Sequence, residues 1–419
     1  VKTIVSPTKT GYTFTKWTKT GNSTLTDTTL LMGSENTTLT ANYEANKYTV
    51  TFNANSGKVT TSNKSVTYAD KYGTLPVPTR DGYKFLGWFT SATSGTQIKE
   101  DTTVAITANQ TLYAHWKQLT KLSQYLINNY KTLGLTSISQ TATGNQTYAT
   151  TEYRYQGKTP NNYITFNNEK GVWRIIGVFE VETPNSSGTY TKEKKVKIVR
   201  ESIGSLVWNS TNTTNYNDWA TSTLMTLLNS GDYYKRSGSY SSNGLTTDAK
   251  NKITSTKWYL GNTSYAPLEG ILYLTSTIYS NERTNTSNDN DSLWDGKIGL
   301  VYPSDYMYAS SSCYNDSTKY AYNEDDSSPY SSDYRNANCT STNWLLNSNL
   351  SYWSITTVYS TFYPGSWNKN NSVYIQNSGN LNYASVSSTS NGVRPTLYLD
   401  ANAIYKSGSG TTSNPFVIE

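Results

Sequence analysis

The chain of 419 residues is long enough for several domains, and only 15% of its residues are charged and 35% hydrophobic. Its 37 tyrosines and 11 tryptophans argue against a disordered chain, because disordered segments lack large aromatic side chains. The net charge of +6 is spread without long basic runs, which argues against nucleic acid as a partner. No long apolar stretch occurs, so we expect no membrane insertion of this fragment. The composition favours a mainly β fold with minor α structure.

Residues 1–118 contain an internal repeat. The segment PTKTGYTFTKW that begins at Pro7 aligns with PTRDGYKFLGW, which begins at Pro78, and TLTANY aligns with TLYAHW further along each copy. The second copy opens on the alternating segment Tyr48–Phe52, which predicts a half-buried strand, whereas the first copy lacks its opening strands. We therefore predict an incomplete unit at 1–46 and a complete unit at 47–118, in what we expect to be a mature or trimmed fragment.

The motifs TVTFNANSG, YGTLPVPTRDGYKFLGW and TLYAHW resemble the internalin B-type repeat, also called the Listeria–Bacteroides repeat. This resemblance implies small β-grasp-like modules, arranged in tandem on secreted or cell-wall-attached bacterial proteins and serving mainly as spacers. His115, the single histidine, falls in the closing strand of such a module, and we expect it to be structural.

A helical pattern follows the repeats. Leu119, Leu122, Leu126 and Leu133 recur at helical spacing, and Gly134 comes directly after them. The pattern predicts a linker helix over 119–135 that leads into a C-terminal domain at 136–419.

The C-terminal domain has no further repeat. Its apolar runs predict strands at 163–166 and 172–179, a hairpin partner at 196–200, and further strands at 295–302, 353–356, 373–375, 381–386 and 392–399. Helices are predicted at 221–228, capped by Thr221 or Ser222, and at 246–258. The polar segments near 204–220, 260–294 and 309–342 are predicted to be loops, and the basic run Lys192–Lys197 is interpreted as a solvated hairpin.

The order of the motifs NYITF, WRIIGVF, GLVYPSDYMYA and NGVRPTLYL resembles an extracellular domain that recurs on large surface proteins of Firmicutes. More loosely, the domain resembles C-type-lectin-like and formylglycine-generating-enzyme-like domains. The resemblance implies an α+β fold in which helices flank a twisted sheet and loops above it bind a ligand.

The two cysteines, Cys313 and Cys339, flank a very polar stretch. An isolated pair around a loop is typical of a disulfide in an exported protein, and closing this loop would contribute roughly 3 kcal/mol. Two unpaired thiols are the alternative.

The sequence contains few candidate catalytic or metal-binding residues. Because the single histidine lies in a repeat, the C-terminal domain has no Ser–His or Cys–His pair, and we predict no catalytic residue, no cofactor and no enzyme activity. Calcium is the one metal for which the sequence offers ligands, since two acidic loops carry hard oxygen donors; solvated loops are the alternative. The calcium candidates are Asp289, Asp291, Glu324, Asp325 and Asp326.

The segment 344–383 interleaves aromatic residues with Asn, Ser and Thr, a composition that also characterises antibody paratopes. Trp344, Trp353, Val373 and Ile375 are predicted to lie in the core, and Arg394 is predicted to be a buried structural arginine. The candidate ligand-binding residues are Tyr352, Tyr359, Tyr363, Trp367, Asn368, Tyr374 and Tyr383.

These observations predict an extracellular protein, secreted or held on the bacterial cell surface, in which a repeat stalk presents an adhesive C-terminal domain. Its expected partner is a glycan or protein of a host or neighbouring cell. Two alternatives stay open: a self-associating subunit of an extracellular filament or sheath, and a carbohydrate-active enzyme with paired carboxylates.

Overall fold

The computed structural model describes residues 1–210, 217–265, 272–284, 293–312, 314, 320–321, 337–360, 371–387 and 389–419. Over these residues strands predominate and helices are few, which confirms the predicted mainly β class. The chain divides into two compact units, Val1–Leu119 and Thr120–Glu419.

The first unit contains both repeats. Its strands are β1 (Lys2–Thr3), β2 (Tyr12–Thr20), β3 (Thr24–Leu25), β4 (Thr29–Leu31), β5 (Thr38–Ala45), β6 (Lys47–Asn53), β7 (Asn63–Thr67), β8 (Tyr83–Phe89), β9 (Gln97–Ile98) and β10 (Gln110–Gln118).

The second repeat forms a five-stranded sheet of order β7-β6-β10-β8-β9, in which β6 and β10 are parallel. This order, with the first and last strands side by side at the centre, is that of a β-grasp sheet. Alternation along β6 buries Val50 and Phe52, which join Trp88 and Leu112 in a small core.

The first repeat retains only part of this arrangement. Its strands β2 and β5 pair with Trp17 opposite Ala41, as β8 and β10 pair with Trp88 opposite Ala114. Within residues 1–46, all of which the structure describes, Leu30 is the one buried hydrophobic side chain. The unit that the sequence predicts to be incomplete therefore has little core of its own.

The second unit contains helices and strands in mixed order. Its helices are α1 (Leu122–Asn128), α2 (Thr223–Asn229), α3 (Asp232–Lys235), α4 (Thr247–Asn251), α5 (Thr275–Arg283), α6 (Pro303–Tyr308) and α7 (Ala337–Ser341), with 3-10 turns at Trp219–Thr221 and Gly238–Tyr240. Its strands are β11 (Leu135–Gln140), β12 (Thr150–Tyr155), β13 (Tyr163–Phe166), β14 (Glu169–Pro184), β15 (Tyr190–Arg200), β16 (Ser205–Val207), β17 (Thr256–Tyr259), β18 (Asn262–Tyr265), β19 (Leu272–Tyr273), β20 (Leu293–Gly296), β21 (Ile298–Gly299), β22 (Tyr320–Ala321), β23 (Tyr352–Ser360), β24 (Asn371–Ile375), β25 (Leu381–Ser385), β26 (Ser390–Gly392), β27 (Thr396–Tyr398), β28 (Tyr405–Ser407) and β29 (Phe416–Ile418).

Two sheets organise this unit. The larger has nine strands in the order β21-β27-β15-β14-β13-β29-β28, and β12, paired with β11, also joins β14. Its centre is the long antiparallel hairpin of β14 and β15, which confirms the predicted hairpin. The second sheet runs β16-β26-β23-β24-β25, with β18 beside β23. One continuous core, which includes Trp173, Trp258 and Trp353, joins strands of both sheets.

Several helix predictions need correction. The predicted linker helix at 119–135 is shorter: α1 covers Leu122–Asn128, packs Leu122 and Leu126 into the core of the second unit, and gives way to strand β11 at Leu135. The predicted helix at 246–258 ends at Asn251, and β17 follows because its residues pair with β20. The predicted loop at 260–294 contains α5. The helix at 221–228 is confirmed as α2, and the Ser222 Oγ accepts a hydrogen bond from the Met225 N–H at 3.0 Å.

Candidate functional site

The aromatic residues predicted to bind a ligand do not all reach the surface. Tyr352 is fully buried, and its hydroxyl donates a hydrogen bond to the Leu345 carbonyl oxygen at 2.8 Å. The Arg394 guanidinium lies 4.9 Å from the centre of the Tyr352 ring. Because β23 has neighbours on both edges, its first residue packs inside the unit, and Tyr352 is a core residue.

Tyr374 and Tyr383 lie on opposite faces of their sheet. In the pairing of β24 with β25, Tyr383 stands opposite Val373 and Tyr374 stands opposite Asn382. Cross-strand partners point to the same face, and adjacent residues of one strand point to opposite faces. Both tyrosines are half-buried and pack against the core, so they do not form one continuous aromatic surface.

The core predictions for this segment are confirmed, because Trp344, Trp353, Val373, Ile375 and Arg394 are all buried. Tyr359 lies in β23, and Cys339 is buried. The remaining candidates lie outside the described residues, so their ligand, calcium and disulfide roles stay predictions: Tyr363, Trp367, Asn368, Asp289, Asp291, Glu324, Asp325, Asp326 and Cys313.

The most unusual chemistry of the second unit is buried. A set of charged side chains, here called the charge cluster, connects the nine-stranded sheet to helices α5 and α6. Each member is between 0% and 6% exposed. The cations of the cluster equal its carboxylates in number, so its formal charges cancel. The charge cluster consists of Glu152, Arg154, Lys197, Glu282, Arg283 and Asp305.

Asp305 is the hub of the charge cluster. Its Oδ1 accepts a hydrogen bond from Arg154 Nη1 at 3.0 Å, and its Oδ2 accepts one from Lys197 Nζ at 2.5 Å. The backbone N–H of Tyr302 also donates to Oδ2, at 3.0 Å. Asp305 occupies the first turn of α6, which begins at Pro303, and an acidic residue in this position stabilises a helix start.

Two further parts of the cluster complete the network around Asp305. Arg154 Nε donates to Glu152 Oε2 at 2.7 Å, and the Tyr279 hydroxyl donates to Glu152 Oε1 at 2.9 Å. Glu282 accepts hydrogen bonds from the Ser304 N–H at 2.7 Å and the Ser304 hydroxyl at 2.5 Å. Buried carboxylates are stable only when they are paired and hydrogen-bonded in this way.

Aromatic rings surround the two cations that face Asp305. Lys197 Nζ lies 4.3 Å from the ring centre of Tyr302, and it is 5.3 Å from Trp258 and 5.4 Å from Tyr398. The Arg154 guanidinium lies 4.5 Å from the Phe179 ring and 4.6 Å from the ring of Tyr308. Cation–π attraction offsets part of the cost of removing these cations from water.

Burial shifts the proton affinities of this site. It lowers the pKa of Lys197, although the Asp305 carboxylate opposes this change. Burial alone would raise the pKa of Asp305, but the charges of Lys197 and Arg154 hold it below its usual value. Burial raises the pKa of Glu282 to about 7. The site therefore places an amine whose pKa is lowered against a carboxylate, in the same cluster as a second carboxyl group whose pKa is raised. Among the described residues, no group of three or more His, Cys, Asp or Glu side chains is arranged to hold a metal ion.

Sequence reasoning missed the charge cluster for two reasons. It assigned the segment that holds Glu282 and Arg283 to a loop, and it placed the basic run of β15 in solvent. Lys192 is exposed, but Lys195 and Lys197 are fully buried because β15 lies between β14 and β27. The available signal was the apolar sequence around Lys197, since a strand with apolar residues on both faces is typical of a sheet centre.

Comparison with known proteins identifies the repeats. Residues 48–115 match the Listeria–Bacteroides repeat domain, and residues 3–47 match the divergent InlB B-repeat domain. Internalin H of Listeria monocytogenes is 41% identical over 118 residues, which are 28% of this chain and 21% of that protein. The chain therefore carries internalin B-type repeats, as the sequence predicts, and spans about a fifth of this relative.

The comparisons do not extend to the second unit. No solved structure matches the chain, so the lectin-like resemblance of the C-terminal domain stays a prediction. In the described parts of the chain, no helix combines the length and apolar character that crossing a bilayer requires.

Proposed function

We propose that this chain is a bacterial surface or secreted protein, in which internalin-type repeats carry a C-terminal unit that recognises a ligand by contact. The observation that carries the proposal is the tandem of matched repeats over residues 3–115, followed by the separately compact unit Thr120–Glu419. Repeats of this kind occur in Internalin H, with which the chain shares them.

Recognition without catalysis fits the chemistry of the described residues. Three acid–base groups of the charge cluster with altered proton affinities, Lys197, Glu282 and Asp305, are at most 1% exposed and are held in hydrogen bonds or ion pairs. A catalytic acid or base needs access to a substrate. These groups therefore support the fold of the second unit, and we propose that the protein is not an enzyme.

We assign the ligand contacts to the segment 361–370, which joins β23 to β24. The strands at its two ends are fixed to each other, since Val358 pairs with Asn371. Binding residues commonly lie on loops that a rigid scaffold positions. The side chains of Tyr363, Trp367 and Asn368 are two aromatic rings and an amide, chemical types that suit contact with a glycan or a protein on a host or neighbouring cell.

Binding of the full chain to glycan arrays and to host and bacterial cells tests this proposal. Truncating an aromatic hot spot costs about 2 kcal/mol, which corresponds to about a 30-fold rise in Kd. We expect this loss for Trp367→Ala and a smaller loss for Tyr363→Ala. The control is Tyr190→Ala, which removes a 41% exposed tyrosine at the start of β15 and should leave binding unchanged.

Three results would contradict the proposal. Equal binding by the three variants and the parent chain would move the contacts away from segment 361–370. Ordered polymers of the native protein in electron micrographs, together with no binding to cells, would favour the filament alternative. Glycan hydrolysis that one Asp or Glu substitution abolishes would establish an enzyme.

A further inference from the structure

The contact between Lys197 and Asp305 joins two elements that are distant in sequence. Lys197 Nζ, from β15, lies 2.5 Å from Asp305 Oδ2, in α6, and the two residues are 108 positions apart. Each side chain is only 1% exposed. The rings of Tyr302, Trp258 and Tyr398 lie around the amine. An amine and a carboxyl group are thus held in contact in a site that is shielded from water.

We propose that Lys197 and Asp305 react with each other to form an intramolecular amide bond that links β15 to α6. The Lys197 Nζ attacks the Asp305 Cγ, so that the Nζ–Cγ bond forms and the Cγ–Oδ2 bond breaks. The ammonium–carboxylate pair loses one molecule of water, which contains Oδ2 and two hydrogens from the amine. The reaction changes no oxidation state and needs no further reactant.

The neighbours of the pair favour this condensation. Arg154 Nη1 donates to Asp305 Oδ1, the oxygen that stays in the amide and gains negative charge while the amine adds. Burial favours neutral products over a charged pair and excludes the water that would reverse the reaction.

Another carboxyl group of the charge cluster, that of Glu282, is connected to the segment that carries Asp305. The charge of Glu282 acts on both Lys197 and Asp305. Burial raises the pKa of this carboxyl group to about 7. Ser304, which precedes Asp305, connects Glu282 to the reacting segment through two hydrogen bonds. The formal charges of the cluster also remain balanced after the reaction, since one cation and one carboxylate disappear together.

The bond is tested by mass spectrometry of the intact chain, unfolded and with its thiols reduced. We expect a mass lower than that of the sequence by one molecule of water. Trypsin should then fail to cut after Lys197 and should release a branched peptide in which residues 196–200 are joined to residues 298–319. Lys195 is the internal control: its Nζ lies 3.4 Å from Glu193 Oε2, Glu193 is 30% exposed, and we expect normal cleavage after Lys195.

Variants separate the chemistry from the packing. Lys197→Arg cannot condense and should have the full mass of its sequence. Asp305→Asn can form the same amide with loss of ammonia and should give the same branched peptide. A native chain with the full mass of its sequence, cut by trypsin after Lys197, would overturn the proposal and leave an ion pair. This result does not depend on ligand binding, so it is distinct from failure of the proposed function.

Discussion

Replacing Arg154 by Met should strongly destabilise the second unit. Arg154 is 1% exposed and donates hydrogen bonds to Glu152 and Asp305, so its loss leaves the charge cluster with excess buried negative charge. Removing one partner of a buried ion pair typically costs about 3–5 kcal/mol. Methionine fills much of the space between the Phe179 and Tyr308 rings, so most of this cost should be electrostatic.

Urea unfolding of the full chain, followed by tryptophan fluorescence, measures this cost. The transition of the second unit should move to a lower urea concentration. Fluorescence reports this transition because Trp173 and Trp258 are buried in the core of the second unit. The control is Lys170→Met, which removes an exposed cation from β14 and should change the free energy of unfolding by less than about 0.5 kcal/mol.

A double variant tests whether the charge balance is the cause. Glu152→Gln removes the carboxylate nearest to Arg154, so adding it to Arg154→Met restores the balance of the cluster. The pair should therefore be less destabilising than the sum of the single changes by about 1 kcal/mol or more. A cost below about 1 kcal/mol for Arg154→Met, or strict additivity with Glu152→Gln, would refute the electrostatic explanation.

Three further changes test other parts of the fold. The pKa of Glu282 rises from 4.5 to about 7, so the folded state binds more protons than the unfolded state in this range, and stability should fall as the pH rises through it. Above pH 7 the charged Glu282 should lower the free energy of unfolding by about 3 kcal/mol. Unfolding measured between about pH 5 and pH 8 should show this pH dependence in the native chain but not in Glu282→Gln. Equal slopes of unfolding free energy against pH in the two chains would contradict this prediction. Gly177→Ala should lower the free energy of unfolding, measured by heating, by about 2–3 kcal/mol. The added Cβ would lie 2.2 Å from the Tyr153 carbonyl oxygen. Unchanged stability would mean that β12 and β14 can move apart without cost. Ser222→Ala should cost about 1 kcal/mol in the same assay through loss of the α2 cap, and no change there would show that the cap is dispensable.

Local patterns in the sequence determined several structural elements of this protein. Spacing and alternation were enough to predict the repeats, the hairpin of β14 and β15, and a cap of α2 at Thr221 or Ser222, of which the structure has Ser222, because each depends on residues close together in the chain. The buried character of Trp353 and Arg394 was also predicted correctly, since both lie in apolar strand-like surroundings.

The tertiary structure decided where helices end and which polar groups meet. The predicted helix at 246–258 gave way to β17 because the distant strand β20 pairs with it. Register placed Tyr374 and Tyr383 on opposite faces, although composition grouped them together. The charge cluster depends on contacts such as that of Arg154 with Asp305, 151 positions apart. A linear pattern shows that a lysine or an aspartate is present, but only the packing of strands and helices excludes water from both and brings them into contact.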